Sequence, residues 1–340
     1  MKNKKRIALA VAVVLAVTAL PMTVFASKKD KEEAKLSKVT LNEVAHSVFY
    51  APQYVAIEKG YFAEEGLNLT LVTGFGADKT MTAVISGEAD IGFMGAEASV
   101  YAYQEGATDP VVNFAQLTQR AGNFLVAREA MPDFKWEDLK GEKVLGGRKG
   151  GMPEMVFEYI LKKNSIDPQK DLIIDQSIDF GSTAAAFTGD DSAAYTVEFE
   201  PSATILEKEG AGYVVASLGE ASGYVPYTSY SAKASYMKEN PEIIQKFTDA
   251  LQKGMDYVQS HTPEEIAEVI APQFKETDLE TITAIVKRYY DQDTWKENLI
   301  FEKDSFELLQ DILEDAGELT DRAAYEDLVQ TEYARKACES

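Results

Sequence analysis

The feature that most constrains this chain is a strand, a loop of small residues and a helix that follow one another twice between residues 67 and 106. The first strand, residues 67–73, is a short apolar run rich in β-forming side chains. Its loop begins at Gly74, and the following helix is capped by Asp78 and ends before Gly87. Repetition of this unit predicts an α/β fold built on an open parallel sheet.

The second repeat places its loop at the same edge of the predicted sheet. Residues 91–94 form its strand, and residues 97–104 form its helix. In a parallel sheet such loops lie at the carboxyl edge, where backbone N–H groups and helix dipoles face a crevice suited to a ligand. The loop residues predicted to contact a ligand in this part of the chain are Phe75, Gly76, Gly95 and Ala96.

An earlier strand is predicted at residues 39–44, with a turn after it and a helix that begins at Pro52. The turn brings His46, Ser47 and Tyr50 to the same edge, where they can touch a ligand. A packed, capped turn is the alternative for these three residues, and both interpretations remain open.

A glycine-rich loop follows the short strand at residues 143–145. Its four glycines permit close approach of the backbone to a ligand, and Arg148 or Lys149 can neutralise an anionic group. The alternative is a flexible turn whose two charges are solvated. This loop adds Arg148, Gly151 and Met152 to the predicted ligand-binding residues.

Three further candidates, Tyr195, Glu198 and Glu200, come shortly before Pro201. A carboxylate at Glu200 can accept paired hydrogen bonds from an aminopyrimidine or hold a cationic amine, whereas it would repel sulfonate or nitrate. The alternative is a carboxylate that interacts with the dipole of the helix starting at Pro201.

Two strands, residues 124–128 and 225–231, are predicted to cross between two halves of the molecule. Tyr227 lies in the second, where it either stacks on a flat ligand or packs the hinge. From Asn240 onward the pattern is helical, with capping-box spacings at Thr262 and Thr277.

Four motifs carry a family resemblance: FYAP at residues 49–52, VAIEKGYF at 55–62, EGL at 65–67 and SGEADIG at 86–92. In these motifs the chain resembles the solute-binding proteins of ABC importers, within the group that includes thiamine-pyrimidine, aliphatic sulfonate, taurine and nitrate binders. The resemblance implies a type II periplasmic-binding-protein fold with two α/β lobes joined by two crossing segments. The first lobe would comprise residues 39–124 and 226–335, and the second residues 125–225.

The same resemblance implies an importer subunit that binds a small ligand as a monomer, without a cofactor, and delivers it to a permease and ATPase. Relatives commonly carry an acidic residue before the proline at the cleft, which Glu200 matches. We therefore favour a thiamine-pyrimidine-like nitrogen heterocycle as ligand. An alkanesulfonate, taurine or nitrate is the alternative, resting on Arg120, Arg148 and Lys149.

A ligand sensor and an enzyme of the pyrimidine-synthase type are two further alternatives. The related synthases carry a cysteine cluster, whereas Cys338 is the single cysteine of this chain. Neither His46 nor His261 has a partner at metal-ligand or triad-like spacing, and no nucleotide or nucleophile-elbow motif occurs. The prediction is a binding protein rather than an enzyme.

The N-terminus predicts export. Residues 1–26 combine a basic start, an apolar stretch and a cleavage site after Ala26, and residues 27–38 form a charged linker. An uncleaved anchor is the alternative, although the apolar run is shorter than the roughly 20 residues that a spanning helix needs. The signal peptide predicts secretion to a periplasmic, cell-surface or extracellular location, and no cysteine near the cleavage site can take a lipid anchor. The formal net charge of -22 argues against nucleic acid as a partner.

Overall fold

The structure, a computed structural model, describes residues 36–178 and 180–339. The predicted signal peptide and most of the predicted linker lie outside the described residues. The strands are β1 Ser37–Glu43, β2 Leu67–Thr73, β3 Ile91–Gly95, β4 Val111–Thr118, β5 Asn123–Ala127, β6 Lys143–Leu145, β7 Ile173–Asp175, β8 Tyr195–Phe199, β9 Tyr213–Ser217 and β10 Thr228–Lys233.

The α helices are α1 Ala51–Glu58, α2 Tyr61–Glu64, α3 Ala77–Ser86, α4 Glu97–Gln104, α5 Met152–Lys163, α6 Thr183–Gly189, α7 Ser202–Lys208, α8 Leu218–Ser222, α9 Ala234–Glu239, α10 Pro241–Ser260, α11 Pro263–Ile270, α12 Leu279–Asp291, α13 Lys303–Asp315, α14 Tyr325–Leu328 and α15 Glu332–Ala337. Short 3-10 helices occur at Val48–Tyr50, Trp136–Leu139, Phe180–Ser182 and Ala271–Gln273. Among the described residues, no helix is long and apolar enough to cross a membrane.

Two five-stranded sheets confirm the predicted α/β fold class. The first has the order β2-β1-β3-β10-β4 and the second the order β7-β6-β8-β5-β9. In each sheet three neighbouring strands are parallel, but β10 and β5 run antiparallel to both of their neighbours. The sheets are therefore mixed rather than wholly parallel. Each antiparallel strand follows a strand of the other sheet along the chain: β5 follows β4, and β10 follows β9. The local sequence pattern does not show this exchange.

The chain passes between the sheets twice. The first passage is residues 119–122, between β4 and β5, and the second is residues 218–227, between β9 and β10. The predicted crossing strands were both offset from these passages. Residues 124–127 already pair with β8 and β9, and β10 begins only at Thr228 because helix α8 occupies the start of the second passage.

An aromatic cluster around Phe49 makes the core continuous between the sheets. The Phe49 ring centroid lies 5.6 Å from that of Phe199 in β8, 5.6 Å from that of Tyr227 and 5.2 Å from that of Tyr289 in α12. Phe49 itself is fully buried. Aromatic pairs at these distances stabilise beyond the area that they bury.

The C-terminal helices pack on the first sheet. Helix α10 crosses α1 so closely that a Cβ at Gly254 would lie 2.3 Å from the Pro52 carbonyl oxygen. The predicted capping box at Thr262 and Glu265 is present. The one predicted at Thr277 is wrong, because Asp278 caps α12 instead.

Candidate functional site

Loops at the strand ends of both sheets meet across one boundary, which we call the interlobe site. Ser47, in the loop after β1, donates a hydrogen bond from Oγ to the Glu200 carbonyl oxygen at 3.1 Å. Tyr101 in α4 donates from its hydroxyl to the Gly150 carbonyl oxygen at 3.2 Å. The two sheets thus approach each other through the loops that the sequence places at their edges.

A carboxylate that the sequence analysis did not single out lies at the centre of this boundary. Glu97 is the first residue of α4, and its side chain is only 4% exposed. The carboxylate folds back over Gly95, where a Cβ would lie 2.0 Å from Glu97 Oε2. Glu97 Oε2 is buried and has no hydrogen-bond partner among the described residues.

Groups on both sides of the boundary affect the pKa of the Glu97 carboxylate. Burial raises its pKa to about 7, although the backbone N–H groups of Glu97 and Met152 and the charge of Arg148 oppose that rise. Met152 is the first residue of α5. The carboxylate therefore sits near the N-termini of α4 and α5, one on each side of the boundary.

Three tyrosines lie close enough to the Glu97 carboxylate for its charge to raise their pKa values. Burial raises the pKa of Tyr50, Tyr101 and Tyr227, and the charge of Glu97 raises each of them further. The Tyr50 ring lies 4.5 Å from the ring centroid of Phe93. The Tyr227 hydroxyl donates to Asn123 Oδ1 at 3.4 Å. The centre of the interlobe site is therefore aromatic and acidic.

The loop after β1 is tied to the fully buried Glu43. His46 Nδ1 lies 2.8 Å from Glu43 Oε1, and Nε2 lies 2.9 Å from the Gln273 carbonyl oxygen. Because both partners are acceptors, a protonated imidazole satisfies both contacts. The hydrogen bond to Glu43 accordingly raises the pKa of His46, with burial opposing it. Ser47 caps the 3-10 helix at Val48–Tyr50. This geometry fits the packed, capped alternative for His46 and Ser47.

Glu200 is held on both carboxylate oxygens. Oε2 accepts from the Thr204 backbone N–H at 2.9 Å, and Oε1 accepts from Thr204 Oγ1 at 3.0 Å and from Arg288 Nη1 at 2.6 Å. Burial raises its pKa, while Arg288 and Thr204 oppose the rise. The arrangement fits the helix-start alternative, and a direct role in ligand contact stays a prediction.

The structure separates Tyr195 from its two predicted companions. Strand β8 begins at Tyr195, so this residue lies at the amino end, where its hydroxyl donates to Met131 Sδ at 3.3 Å. Glu198 lies in the same strand and is buried, with Oε1 accepting from Thr196 Oγ1 at 2.7 Å. Burial raises the pKa of Glu198 to about 7. Tyr195 thus lies at the opposite end of β8 from Glu200, and its contact with a ligand stays a prediction.

The predicted loop residues of the two sheets differ in exposure and in the hydrogen bonds that their backbone groups make. Phe75 is 75% exposed, and the Gly76 N–H already donates to the Val44 carbonyl oxygen at 3.0 Å. The predicted use of the Gly76 amide for ligand is therefore corrected. Ala96 is buried just before α4, beside Gly95. Gly151 precedes α5 and offers its carbonyl oxygen to Glu154 and Met155.

The basic residues considered for an anionic ligand all have protein partners. Arg120 lies over the Tyr224 ring at 4.2 Å and donates to the Gly219 carbonyl oxygen. The Arg148 side chain is 51% exposed and pairs with Asp78 across the boundary at 3.7 Å. Lys149 pairs with Glu318 at 3.3 Å.

Two residues that the sequence did not predict, Glu97 and Arg288, differ in whether a local signal could have found them. Glu97 comes immediately after Gly95 and Ala96, so its place in the first turn of the next helix was a usable signal. Arg288, by contrast, has no local signal, because its contact with Glu200 depends on tertiary packing. In the part of the chain that the structure describes, no group of three or more His, Cys, Asp or Glu could hold a metal ion.

Two mixed sheets, joined by two passages of the chain and meeting through their loops, define a two-lobed protein of the periplasmic-binding-protein fold. Within that class, the chain belongs to the NMT1/THI5-like family, whose model matches residues 48–266. This result agrees with the resemblance that the sequence motifs indicated.

Relatives of the chain are similar over most of its length. "Putative binding protein YtlA" of Bacillus subtilis is 46% identical over 312 residues, which are 92% of this chain and 93% of YtlA. One similar structure is a ligand-binding component of an ABC-type import system from Staphylococcus aureus, solved with zinc bound. Its TM-score is 0.72 at 14% identity, and the match covers 89% of this chain and 100% of the Staphylococcus aureus chain. The alkanesulfonate-binding protein SsuA of Xanthomonas axonopodis pv. citri, bound to MOPS, has a TM-score of 0.69 at 14% identity, covering 87% and 99%. At such identities the two structures share the fold with this chain.

Proposed function

We propose that this chain is the extracytoplasmic solute-binding subunit of an ABC importer. It captures a small ligand between its two lobes and presents it to a permease driven by an ATPase. The observation that carries the proposal is the interlobe site, where loops from both sheets converge on a buried, partly unsatisfied carboxylate. The import role of the Staphylococcus aureus neighbour and the binding-protein name of YtlA support it.

The mechanism is closure driven by binding. A ligand that touches both lobes stabilises the closed form relative to an open one, and the permease recognises the closed form. The contacts of Ser47 with Glu200 and of Tyr101 with Gly150 belong to the closed form. We place the lobe boundaries in the two passages between the sheets, so that the first lobe comprises residues 39–118 with 228–335 and the second comprises residues 123–217. The protein acts as a monomer and performs no catalysis.

For the ligand we favour a nitrogen heterocycle like the pyrimidine of thiamine. Buried tyrosines Tyr50 and Tyr227 offer flat apolar surface, and Glu97 offers an acceptor for the N–H groups of such a ring. The alternative of sulfonate, taurine or nitrate rests on Arg120, Arg148 and Lys149, each of which has a protein partner. The aromatic and acidic centre therefore favours the heterocycle.

A thermal-shift screen of the purified protein tests this function. The panel comprises pyrimidines, thiamine, riboflavin, taurine, alkanesulfonates and nitrate. A ligand present at about a hundred times its dissociation constant adds roughly 2.7 kcal/mol to the free energy of unfolding. We expect that shift with a pyrimidine, at a dissociation constant of about 1 μM, near -8 kcal/mol.

The other possible results of the screen separate the ligand class from the importer role. A shift with sulfonate or nitrate alone would keep the importer role and replace the ligand class. A failure of every compound, together with unchanged growth on limiting ligand after deletion of the gene, would contradict the importer role itself. Adjacent permease and ATPase genes would distinguish an importer subunit from a sensor.

A further inference from the structure

Glu97 stands out from the other buried acids at the interlobe site, and it resolves the ligand class. We infer that the Glu97 carboxylate determines the ligand specificity of the interlobe site. It occupies the position that an anionic group of a ligand would take, and its Oε2 accepts a hydrogen bond from an amino group of a nitrogen heterocycle. This inference rests on the proposed function and deepens it. It makes the site reject sulfonate and nitrate.

The position of the carboxylate is one that favours negative charge. Helix α4 begins at Glu97 and α5 begins at Met152, with 8 and 12 residues respectively. The N-terminus of a helix attracts anions through its free N–H groups and its dipole. The N–H groups of both residues and the charge of Arg148 act on this carboxylate. A ligand anion would therefore compete with a negative group that the protein already supplies.

A second anion in that position would meet like-charge repulsion. Both the ligand and Glu97 would need the same N–H groups, and one of the two would have to be neutralised or displaced. This repulsion acts against sulfonate and nitrate and leaves donors of hydrogen bonds unaffected. The site thus selects its ligand by exclusion as well as by attraction.

One oxygen of Glu97 is left for a ligand. Oε2 is buried without a hydrogen-bond partner among the described residues. A buried acceptor without a partner costs about 1–3 kcal/mol, so such atoms are rare in native proteins. Burial also raises the pKa of Glu97 to about 7. An N–H donor from a ligand would satisfy the oxygen and stabilise the ionised form.

Two other buried glutamates near the boundary have the hydrogen-bond partners that Glu97 Oε2 lacks among the described residues. Glu200 uses both oxygens, on Thr204 and Arg288, and Glu198 accepts from Thr196. All three glutamates are almost completely buried. Glu97 alone among these three lacks a partner on one oxygen, and it alone is close enough to Tyr50 and Tyr227 to raise the pKa of both.

The flanking tyrosines set the shape of the ligand. A planar ring between aromatic side chains gains stacking and edge contacts, while an amino substituent on that ring reaches the carboxylate. An amino-substituted heterocycle combines both features. A small aliphatic amine would use the carboxylate but leave the aromatic surface unused.

The binding test uses Glu97→Gln and the control Glu158→Gln, which makes the same chemical change at a buried glutamate of α5 that is not among the ligand-binding candidates; Glu198→Gln serves only as a control for stability. The probe is 4-amino-5-hydroxymethyl-2-methylpyrimidine, and its analogue without the 4-amino group is the ligand control. Isothermal titration calorimetry should show binding of the amino compound to the natural protein and to Glu158→Gln. Glu97→Gln should bind it at least tenfold more weakly, about 1.4 kcal/mol. The analogue should bind the natural protein as weakly as the amino compound binds Glu97→Gln.

A gain of function provides the second measurement. Glu97→Ala vacates the position between the two helix N-termini, so we expect it to bind methanesulfonate or nitrate more tightly than the natural protein does. Retained pyrimidine affinity in Glu97→Gln would overturn the inference, as would anion binding by the natural protein. In the second case the importer role would stand. Failure of both probe classes in every variant would overturn this inference alone, because the importer role is decided by the full ligand screen together with the growth test.

Thermal unfolding without ligand separates a binding role from a structural one. Glu97→Gln should unfold at the same or a higher temperature than the natural protein, because an unsatisfied buried carboxylate is removed. Glu198→Gln should unfold at a lower temperature, because the hydrogen bond from Thr196 weakens. A loss of stability in Glu97→Gln equal to that of the control would make Glu97 a structural residue and overturn the inference.

Discussion

Arg288 in α12 and Glu200 before α7 form an ion pair whose Nη1···Oε1 distance is 2.6 Å. The same guanidinium donates from Nη2 to Glu207 Oε2 at 2.8 Å. The pair ties a helix of the C-terminal region to the second sheet. Both carboxylate oxygens of Glu200 therefore have protein partners, and its direct contact with a ligand stays a prediction.

Replacing Glu200 should cost stability first. Glu200→Gln weakens hydrogen bonds to Arg288 and Thr204, and we expect the free energy of unfolding to fall by about 1.5–3 kcal/mol. Urea denaturation measures the change. Glu207→Gln is the control, because the Glu207 side chain is 32% exposed and solvent screens its pairing with Arg288. Equal losses in both variants would contradict a structural role of Glu200.

Gly95 should not tolerate a side chain. A Cβ there would collide with the Glu97 carboxylate at 2.0 Å, so Gly95→Ala should lower the free energy of unfolding by about 1–3 kcal/mol. Gly189→Ala is the control, since nothing lies within 4 Å of its added Cβ. In the background of Glu97→Ala the cost of Gly95→Ala should shrink, with a coupling of about 0.5–3 kcal/mol. Additive effects would show that the two residues do not clash.

Two phenylalanines near the interlobe site should differ sharply. Phe49 is fully buried in the aromatic cluster, so Phe49→Ala should cost about 3–5 kcal/mol in the free energy of unfolding. Phe75 is 75% exposed, so Phe75→Ala should change stability by no more than about 0.5 kcal/mol. Chemical denaturation of both variants measures the difference. A large loss at Phe75 would mean that its side chain packs more closely than the structure shows.

His46 should make stability depend on pH. The hydrogen bond to Glu43 raises the pKa of His46 in the folded state above 6.5. The contribution of His46 to the free energy of unfolding is therefore complete below pH 6.5 and disappears as the pH rises through the folded-state pKa. The difference in unfolding free energy between the natural protein and His46→Gln should therefore be larger at pH 6 than at pH 8.5. Taking the difference removes the separate titrations of Glu97 and Glu198. A difference that does not change with pH would contradict the bonding of a protonated His46.

Local elements followed closely from the sequence. Strand β2 spans residues 67–73 and α4 spans residues 97–104, as the patterns predicted, because apolar periodicity and glycine termination act over a few residues. Tyr195 and Glu200, which the sequence places close together before Pro201, are separated by the length of β8, because Tyr195 begins the strand and Glu200 follows its last residue. The motifs also indicated the correct fold class and family.

Only the tertiary structure decided which carboxylate is free. Glu97 and Glu200 both lie beside the start of a helix, and nothing local distinguishes them. Glu200 is satisfied by Arg288, 88 residues further along the chain, whereas Oε2 of Glu97 meets no partner within residues 36–178 and 180–339. Sequence determines which residues carry charge and where helices start, since those are local properties. The partner that each charge finds depends on packing between distant segments, and that packing also sets the antiparallel places of β5 and β10 in the two sheets.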